Sequence, residues 1–554
     1  DNTGTLAADQ LLNIDASSAV TNQTAGIIKA KIGSTLTTPI LTNSGTWMAS
    51  TDTGVAGSVV WKVGSIDNSR TGNLSSAQAW TLTDDNGGAT TTLTNAGTLA
   101  SETKLDASLA TLTNTGTLTV ATRDSGSASI WTVDNLSNSD QGTIFSGDDW
   151  QVNTALNRGA SITNNGTLQG YRDLRLSFDS LNLASGKDIS GALKGTANDI
   201  MELNITNAYT LSDLLYSNAD LQANFDGGLT ISGSGALVGN GSTDLIASGN
   251  GSDIINYGFI YAGQNLTLNA NDDIGSFVDT SLVSGRTLGR SSVDGVTYSE
   301  GRQVKNSSAD IRAVGNLTVS AGDLFVNSSE IRAGGSLDIT AATVSNQVQR
   351  TSPFAVDHPL TETVGKRLNY TSSTSTVDSY QYPDNYTNYE YNYTWDEFNY
   401  FKDGAPAVTP QIIAGDSFNI TAPVINNYGG LIQSTSASAS SVLNASSSLT
   451  NDALSLWRED FSWTKTREVH WAAFGPLKHS DRITGGATAP TNGTLVTLDN
   501  GTAVVDAAGS LSITGGSVTN VGAIVAVDSG TSSTATSALN PSGFSLTLTL
   551  PTNP

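Results

Sequence analysis

Val304-Lys305-Asn306-Ser307-Ser308-Ala309-Asp310-Ile311-Arg312-Ala313-Val314-Gly315-Asn316-Leu317-Thr318-Val319-Ser320-Ala321 is followed by Gly322-Asp323. Then comes Leu324-Phe325-Val326-Asn327-Ser328-Ser329-Glu330-Ile331-Arg332-Ala333-Gly334-Gly335-Ser336-Leu337-Asp338-Ile339-Thr340-Ala341. The second segment rewrites the first. Ile311 aligns with Ile331, Arg312 with Arg332, Gly315 with Gly335 and Leu317 with Leu337, each 20 residues on. A repeat of roughly 20–50 residues marks a solenoid, a propeller or an array. Inside the unit the apolar residues alternate (Leu317 and Val319, then Leu337 and Ile339), which is strand periodicity and not helix periodicity. A four-stranded propeller blade needs about twice this length, so one unit is read as one coil of a parallel β-solenoid.

The pattern extends to the start of the chain. Asn-x-Gly followed by a small and an apolar residue occurs at Asn2-Thr3-Gly4, Asn43-Ser44-Gly45, Asn95-Ala96-Gly97, Asn114-Thr115-Gly116 and Asn164-Asn165-Gly166, with looser forms ending at Gly26, Gly72 and Gly142. The intervals between these glycines are 22, 19, 27, 25, 19, 26 and 24 residues. Each glycine is expected to take a positive φ at a corner. Leu93, Leu112 and Ile162 before them, and Leu99, Leu118 and Leu168 after them, are expected to point inward. Residues 171–250 are less even and are expected to form coils with variable loops; 272–303 reads as an irregular polar loop.

Composition agrees with a stack. Charged residues make up only 14% of the 554 residues, while 37% are hydrophobic. Stacking identical positions about 4.8 Å apart penalises like charges and favours ladders of Asn, Thr and Ser. The formal net charge of -24 excludes nucleic acid and an anionic membrane surface as electrostatic partners. The absence of cysteine rules out a disulfide-stapled scaffold.

Two stretches leave the pattern, 347–410 and 451–500. The coil resumes after them at Gln411-Ile412-Ile413-Ala414 and at Gly509-Ser510-Leu511-Ser512-Ile513. Insertions into repeat proteins fall as loops on one face, often the binding face. Within the first, residues 380–401 contain Tyr380, Tyr382, Tyr386, Tyr389, Tyr391, Tyr393, Trp395, Phe398 and Tyr400, including seven of the chain's fifteen tyrosines. Tyr389, Tyr391, Tyr393 and Trp395 alternate, which places them on one face of a strand. The second holds Trp457, Arg458, Phe461, Trp463, Arg467, His470, Trp471 and Phe474. Tyr, Trp and Arg dominate interface hot spots, so those nine aromatic residues of the first insertion, with Trp457, Trp463, Arg467 and Trp471 of the second, are the candidate contact set. The plainer alternative is two aromatic hairpins that pack on each other or on the solenoid flank.

No catalytic constellation stands out. His358, His470 and His479 lie in no metal-binding spacing, and no cysteine completes a site. Asp84-Asp85, Asp148-Asp149 and Asp272-Asp273 have calcium-ligand chemistry, but the Gly-Gly-x-Gly-x-Asp nonapeptide is missing and solvated turns explain them. No cofactor and no metal are therefore expected. A carbohydrate-active β-helix enzyme would need converging carboxylates in one groove.

The Asn-x-Gly-x-Leu-x-Ala unit, as in Asn2-Thr3-Gly4-Thr5-Leu6-Ala7-Ala8, and the strand at Ile331–Ala341 resemble the filamentous haemagglutinin repeat. The resemblance covers most of the chain outside the two insertions. It implies a right-handed parallel β-helix, all-β with loop and hairpin insertions, from a large exoprotein of two-partner secretion. It most resembles the shaft end and receptor-binding region of a contact-dependent growth inhibition effector. On that basis 1–248 is expected to be shaft and 249–550 the receptor-binding region, a middle section lacking the family's amino-terminal secretion domain and any toxin domain. The implied protein is non-enzymatic and monomeric, on the surface of a Gram-negative bacterium. Its implied partners are an outer-membrane β-barrel protein or lipopolysaccharide of a target bacterium, and an outer-membrane secretion partner acting on the missing amino-terminal part. A general host-cell adhesin of the same secretion class is the alternative.

Overall fold

The computed structural model describes residues 1–84, 91–290, 297–306, 309–374, 384–472, 480–486, 494–500, 503–526 and 544–547. Among them there is no helix. Eighteen short strands stack into one sheet, from Thr5–Ala8 to Ala523–Ala526. A second, 27-stranded sheet supplies the other walls of each coil. One turn of the chain runs through Asp310–Ala313 in the first sheet, then Leu317–Ala321 and Leu324–Asn327 in the second, and returns to the first at Glu330–Ala333. Pairing between coils is parallel throughout the stack, and the twin units stand in direct register, with Ile311 on Ile331 and Leu317 on Leu337. The chain is a parallel β-solenoid. At about 4.8 Å per coil its first sheet runs roughly 80 Å.

The glycine intervals are the coil lengths. Leu6 pairs with Ile28, Ile28 with Trp47, Trp47 with Leu74, Leu74 with Leu99, Leu99 with Leu118, Leu118 with Ile144 and Ile144 with Leu168. Those offsets reproduce the spacing of the eight repeat glycines. The glycines themselves work differently from the expectation. None of the eight has a positive φ; left-handed glycines lie elsewhere, as at Gly228 and Gly404. Seven of them, all but Gly4, are pressed against the neighbouring coil instead. A Cβ on Gly26 would strike the carbonyl oxygen of Asn2, and one on Gly97 would strike that of Gly72. Glycine is needed there because two backbones approach too closely for any side chain.

The inside of the tube is a single apolar column that includes Leu93, Leu99, Leu112, Leu118, Ile162 and Leu168, all fully buried. Five tryptophans lie within it. Trp47, Trp61 and Trp80 stack with ring centroids 4.8 and 4.7 Å apart, and Trp131 and Trp150 lie 5.4 Å apart. Each repeat asparagine turns inward at the corner. Asn2, Asn22, Asn43, Asn68, Asn95, Asn114, Asn138 and Asn164 form a ladder in which each Nδ2 donates to the next Oδ1 at 2.7–2.8 Å. In 171–250 the backbone register continues (Leu174, Met201, Leu221 and Thr243 in succession). What stops there is the ladder, because Leu183 stands opposite Asn164. It resumes as Asn327, Asn346, Asn427, Asn451 and Asn520.

The stretch expected to be an irregular polar loop is an antiparallel hairpin, Thr280–Arg290 with Thr297–Lys305. At the other end, Phe544–Thr547 pairs antiparallel with Ser510–Asn520.

Candidate functional site

The two aromatic insertions form one sheet. Leu360–Thr374, Asp384–Phe401 and Ser455–Ala472 pair antiparallel in that order, and Ser480–Gly486 and Thr494–Asn500 both pair with the far side of Ser455–Ala472. The central pair runs without a bulge from Asp384 opposite Ala472 to Phe398 opposite Arg458. Directly opposed positions of an antiparallel pair share a face, and faces alternate along each strand. One face therefore carries four consecutive pairs: Tyr389 with Arg467, Tyr391 with Lys465, Tyr393 with Trp463 and Trp395 with Phe461. Tyr370 and Leu368 extend it, opposite Tyr393 and Trp395. The intervening positions are mostly polar: Glu390 with Thr466, Asn392 with Thr464 and Thr394 with Ser462. The alternation anticipated for Tyr389, Tyr391, Tyr393 and Trp395 is thus a register fact, and the second insertion doubles it.

The sheet is rooted on the solenoid by a second, small core. Val348, Phe401, Tyr428, Leu454 and Leu456 are buried together, with Tyr400 and Ala405 against them. They come from both insertions and from the first of the two coils between them. Beside this core, Arg350 donates from Nε to Asp403 Oδ2 at 2.6 Å and from Nη1 to the Asp357 carbonyl at 2.7 Å. Thr351 Oγ1 donates to the other Asp403 oxygen at 2.7 Å. Burial pushes the Asp403 carboxyl up, but the bonds from Arg350 and Thr351 outweigh it and hold the group below the ordinary aspartate value. His358 Nε2 lies 3.0 Å from Asp452 Oδ2, which joins the start of one insertion to the start of the other. The 280–305 hairpin is tied in as well: Gln303 N donates to the Ala405 carbonyl at 2.9 Å and Ala405 N to that of Gly301 at 2.7 Å.

The predicted residues divide accordingly. Tyr386, Tyr389, Tyr391, Tyr393, Trp395, Trp463, Arg467 and Trp471 occupy register positions on the two central strands. Tyr400 and Trp457 are half-buried near the root. Phe398 is 1% exposed and belongs to the packing, as the plainer reading of these rings had it. Tyr380, Tyr382, Phe474, His479 and Asp85 lie outside the described residues. Sequence reasoning missed Lys465 opposite Tyr391 and Phe461 opposite Trp395, and Arg350 and Asp403 as the anchor. The pairing of segments about 70 residues apart leaves no local signal. Of the acidic pairs, Asp272 and Asp273 converge with Asp323, with one oxygen of each within 4.8 Å of the others. Burial, then the neighbouring carboxylates, raises the Asp273 pKa against the opposing bond from Leu324 N. Asp148 is instead satisfied by Ser125 and Ser127.

Compared with family models, with curated proteins and with solved structures, the chain finds no match in any of the three. Fold and site define it as a parallel β-solenoid carrying an antiparallel aromatic sheet on its flank.

Proposed function

We propose that the chain is a non-enzymatic surface stalk with a receptor-binding module, from a contact-dependent growth inhibition effector that recognises an outer-membrane component of a neighbouring bacterium. The single observation behind this is the register of the inserted sheet, which gathers Tyr389, Tyr391, Tyr393, Trp395, Lys465, Arg467, Trp463 and Phe461 onto one face. Aromatic rings give large contact area at low entropic cost, and cations interleaved with them add directional bonds to carboxylates, phosphates or carbonyls. A β-barrel mouth and the sugar-phosphate surface of lipopolysaccharide both match that chemistry. The solenoid supplies length and stiffness, and the resemblance of its coils to the haemagglutinin repeat supplies the class.

The test is to replace both insertions by short Gly-Ser connectors while the stacked coils are kept. The fragment is then used to capture outer-membrane components from Gram-negative cells and, in parallel, to bind cultured animal cells. Capture of a bacterial component that is lost with the insertions is the expected result. Capture that survives their removal overturns the assignment of the sheet. Binding confined to animal cells moves the protein to the host-adhesin class.

A further inference from the structure

The excursions at 280–305 and 347–410 leave the solenoid side by side, and a cavity of about 270 Å³ opens where they do. Its walls include Tyr257 from the coil below, Val278, Asp279, Thr280 and Leu282 at the start of the hairpin, and Thr351 at the start of the first insertion. This volume falls just short of the roughly 300–1,000 Å³ that holds drug-sized ligands, so it suits one small unit.

The wall is built firmly. Gln303 Nε2 donates to the carbonyls of Gln349 and Asp403, both at 3.0 Å, and Val278 N donates to Gln349 Oε1 at 3.2 Å. The Arg350 guanidinium, also in the wall, is committed to Asp403 and Asp357. Its charge is therefore spent inside the protein. Asp279 is different. Its carboxylate has no hydrogen-bond or ion-pair partner among the described residues, and it stands close enough to Tyr257 that its charge, after burial, helps raise the phenol's pKa. The lining therefore carries one uncompensated negative charge and no free positive one. The lining also supplies two hydroxyls, Thr280 and Thr351, and three apolar side chains, Val278, Pro353 and Leu282, the last 64% exposed.

We propose that this cavity binds a single neutral hexose ring, with Asp279 accepting hydrogen bonds from adjacent ring hydroxyls. A pyranose has hydroxyls at its edge and a C–H face, which match the carboxylate and threonines of the lining and its apolar Leu282 and Pro353. The charge balance excludes uronic acids, sialic acids and phosphorylated sugars. A bare ammonium group would leave the apolar side unused. The site shares no residue with the aromatic face, so it stands or falls separately from that face's assignment.

Saturation-transfer NMR on the whole chain tests it, with glucose, galactose, mannose and glucuronate as probes. At least one neutral hexose should receive saturation and glucuronate should not. Asp279 is exposed and unbonded, so Asp279→Ala should fold normally and weaken hexose binding about tenfold, the effect of losing one charge-assisted hydrogen bond. Absence of transfer to all three hexoses overturns the proposal. So does transfer to glucuronate equal to that of the hexoses, or hexose binding unchanged in Asp279→Ala. None of these readouts depends on a cell-surface receptor.

Discussion

Asn346 Nδ2 donates to Asn427 Oδ1 at 2.8 Å, although 81 residues separate them. They are neighbours in a ladder of buried corner asparagines, and the whole first insertion departs from the stack and returns between one rung and the next. Asn427 in turn donates to Asn451 at 2.7 Å, and the second insertion leaves just beyond that rung. The ladder is thus what keeps the coils in register on either side of the aromatic sheet. Replacing Asn427 by Ala orphans a donor on Asn346 and an acceptor on Asn451, each at a cost of roughly 1–3 kcal/mol. Solenoid coils couple mainly to their neighbours, so the loss should be local. Hydrogen exchange should quicken across 411–452 and stay unchanged in the coils before 170. Uniform loosening of the entire chain would contradict this.

Two repeat glycines separate close approach from conformational freedom. Gly97 faces the Gly72 carbonyl, whereas a Cβ on Gly4 meets nothing within 4 Å, and neither has a positive φ. Gly97→Ala should cost about 1–3 kcal/mol by overpacking. Gly4→Ala should be neutral or slightly stabilising, because it only restricts the unfolded chain. Paired thermal melts decide the matter. If both substitutions cost the same, the glycines serve backbone conformation after all.

How far the sequence could be read follows from which contacts are local in it. Each coil carries its own instructions, an Asn-x-Gly corner and alternating leucines, so coil length and inward residues such as Leu99 and Leu118 were readable. Any single coil's partner is the next coil, so the stack follows from one unit. The joined aromatic sheet was not readable, because Tyr393 comes opposite Trp463 only after two intervening coils of the solenoid. The boundaries of the insertions were plain, but nothing in either one names its partner. The 280–305 hairpin escaped for another reason. Its Ser-, Gly- and Arg-rich strands lack the apolar alternation that marks a strand with one buried face. The tryptophans of the core were passed over because each is isolated in sequence, and only stacking of the coils brings Trp47, Trp61 and Trp80 together.

The aromatic face makes its own prediction. Cross-strand aromatic pairs contribute roughly 0.2–1 kcal/mol to a sheet, whereas hot-spot rings contribute about 2 kcal/mol or more to binding. Tyr391→Ser combined with Tyr393→Ser should therefore leave the sheet paired while lowering target-cell capture by more than tenfold. Ser substitutions at Asn392 and Thr394, on the opposite face, should leave capture unchanged. Equal losses from the two faces would mean that the sheet acts only as a spacer.

The anchor beneath the sheet is expected to respond to acid in one direction. Arg350 is 7% exposed and Asp403 13%, so removing one partner leaves a buried charge unpaired, at about 3–5 kcal/mol. Arg350→Met should accordingly open the root of the sheet at neutral pH, seen as faster exchange at Ala405 and at the Gln303 amide that donates to it. The pH dependence follows from the depressed Asp403 pKa. A carboxyl held below its unfolded value, about 3.9, stabilises the fold fully above that value. The contribution fades as pH falls through the lower folded one. The wild-type root should therefore stay closed down to the ordinary aspartate range and loosen only below it. In Asp403→Asn the Arg350 guanidinium loses its buried carboxylate partner at every pH and keeps only Asp357 on the exposed side, so the root should already be looser at pH 7 and show a shallower acid dependence. Exchange at Ala405 followed from pH 7 to pH 3 in both proteins measures this. A wild-type root that loosens well above the aspartate range would place the control outside the Arg350–Asp403 pair.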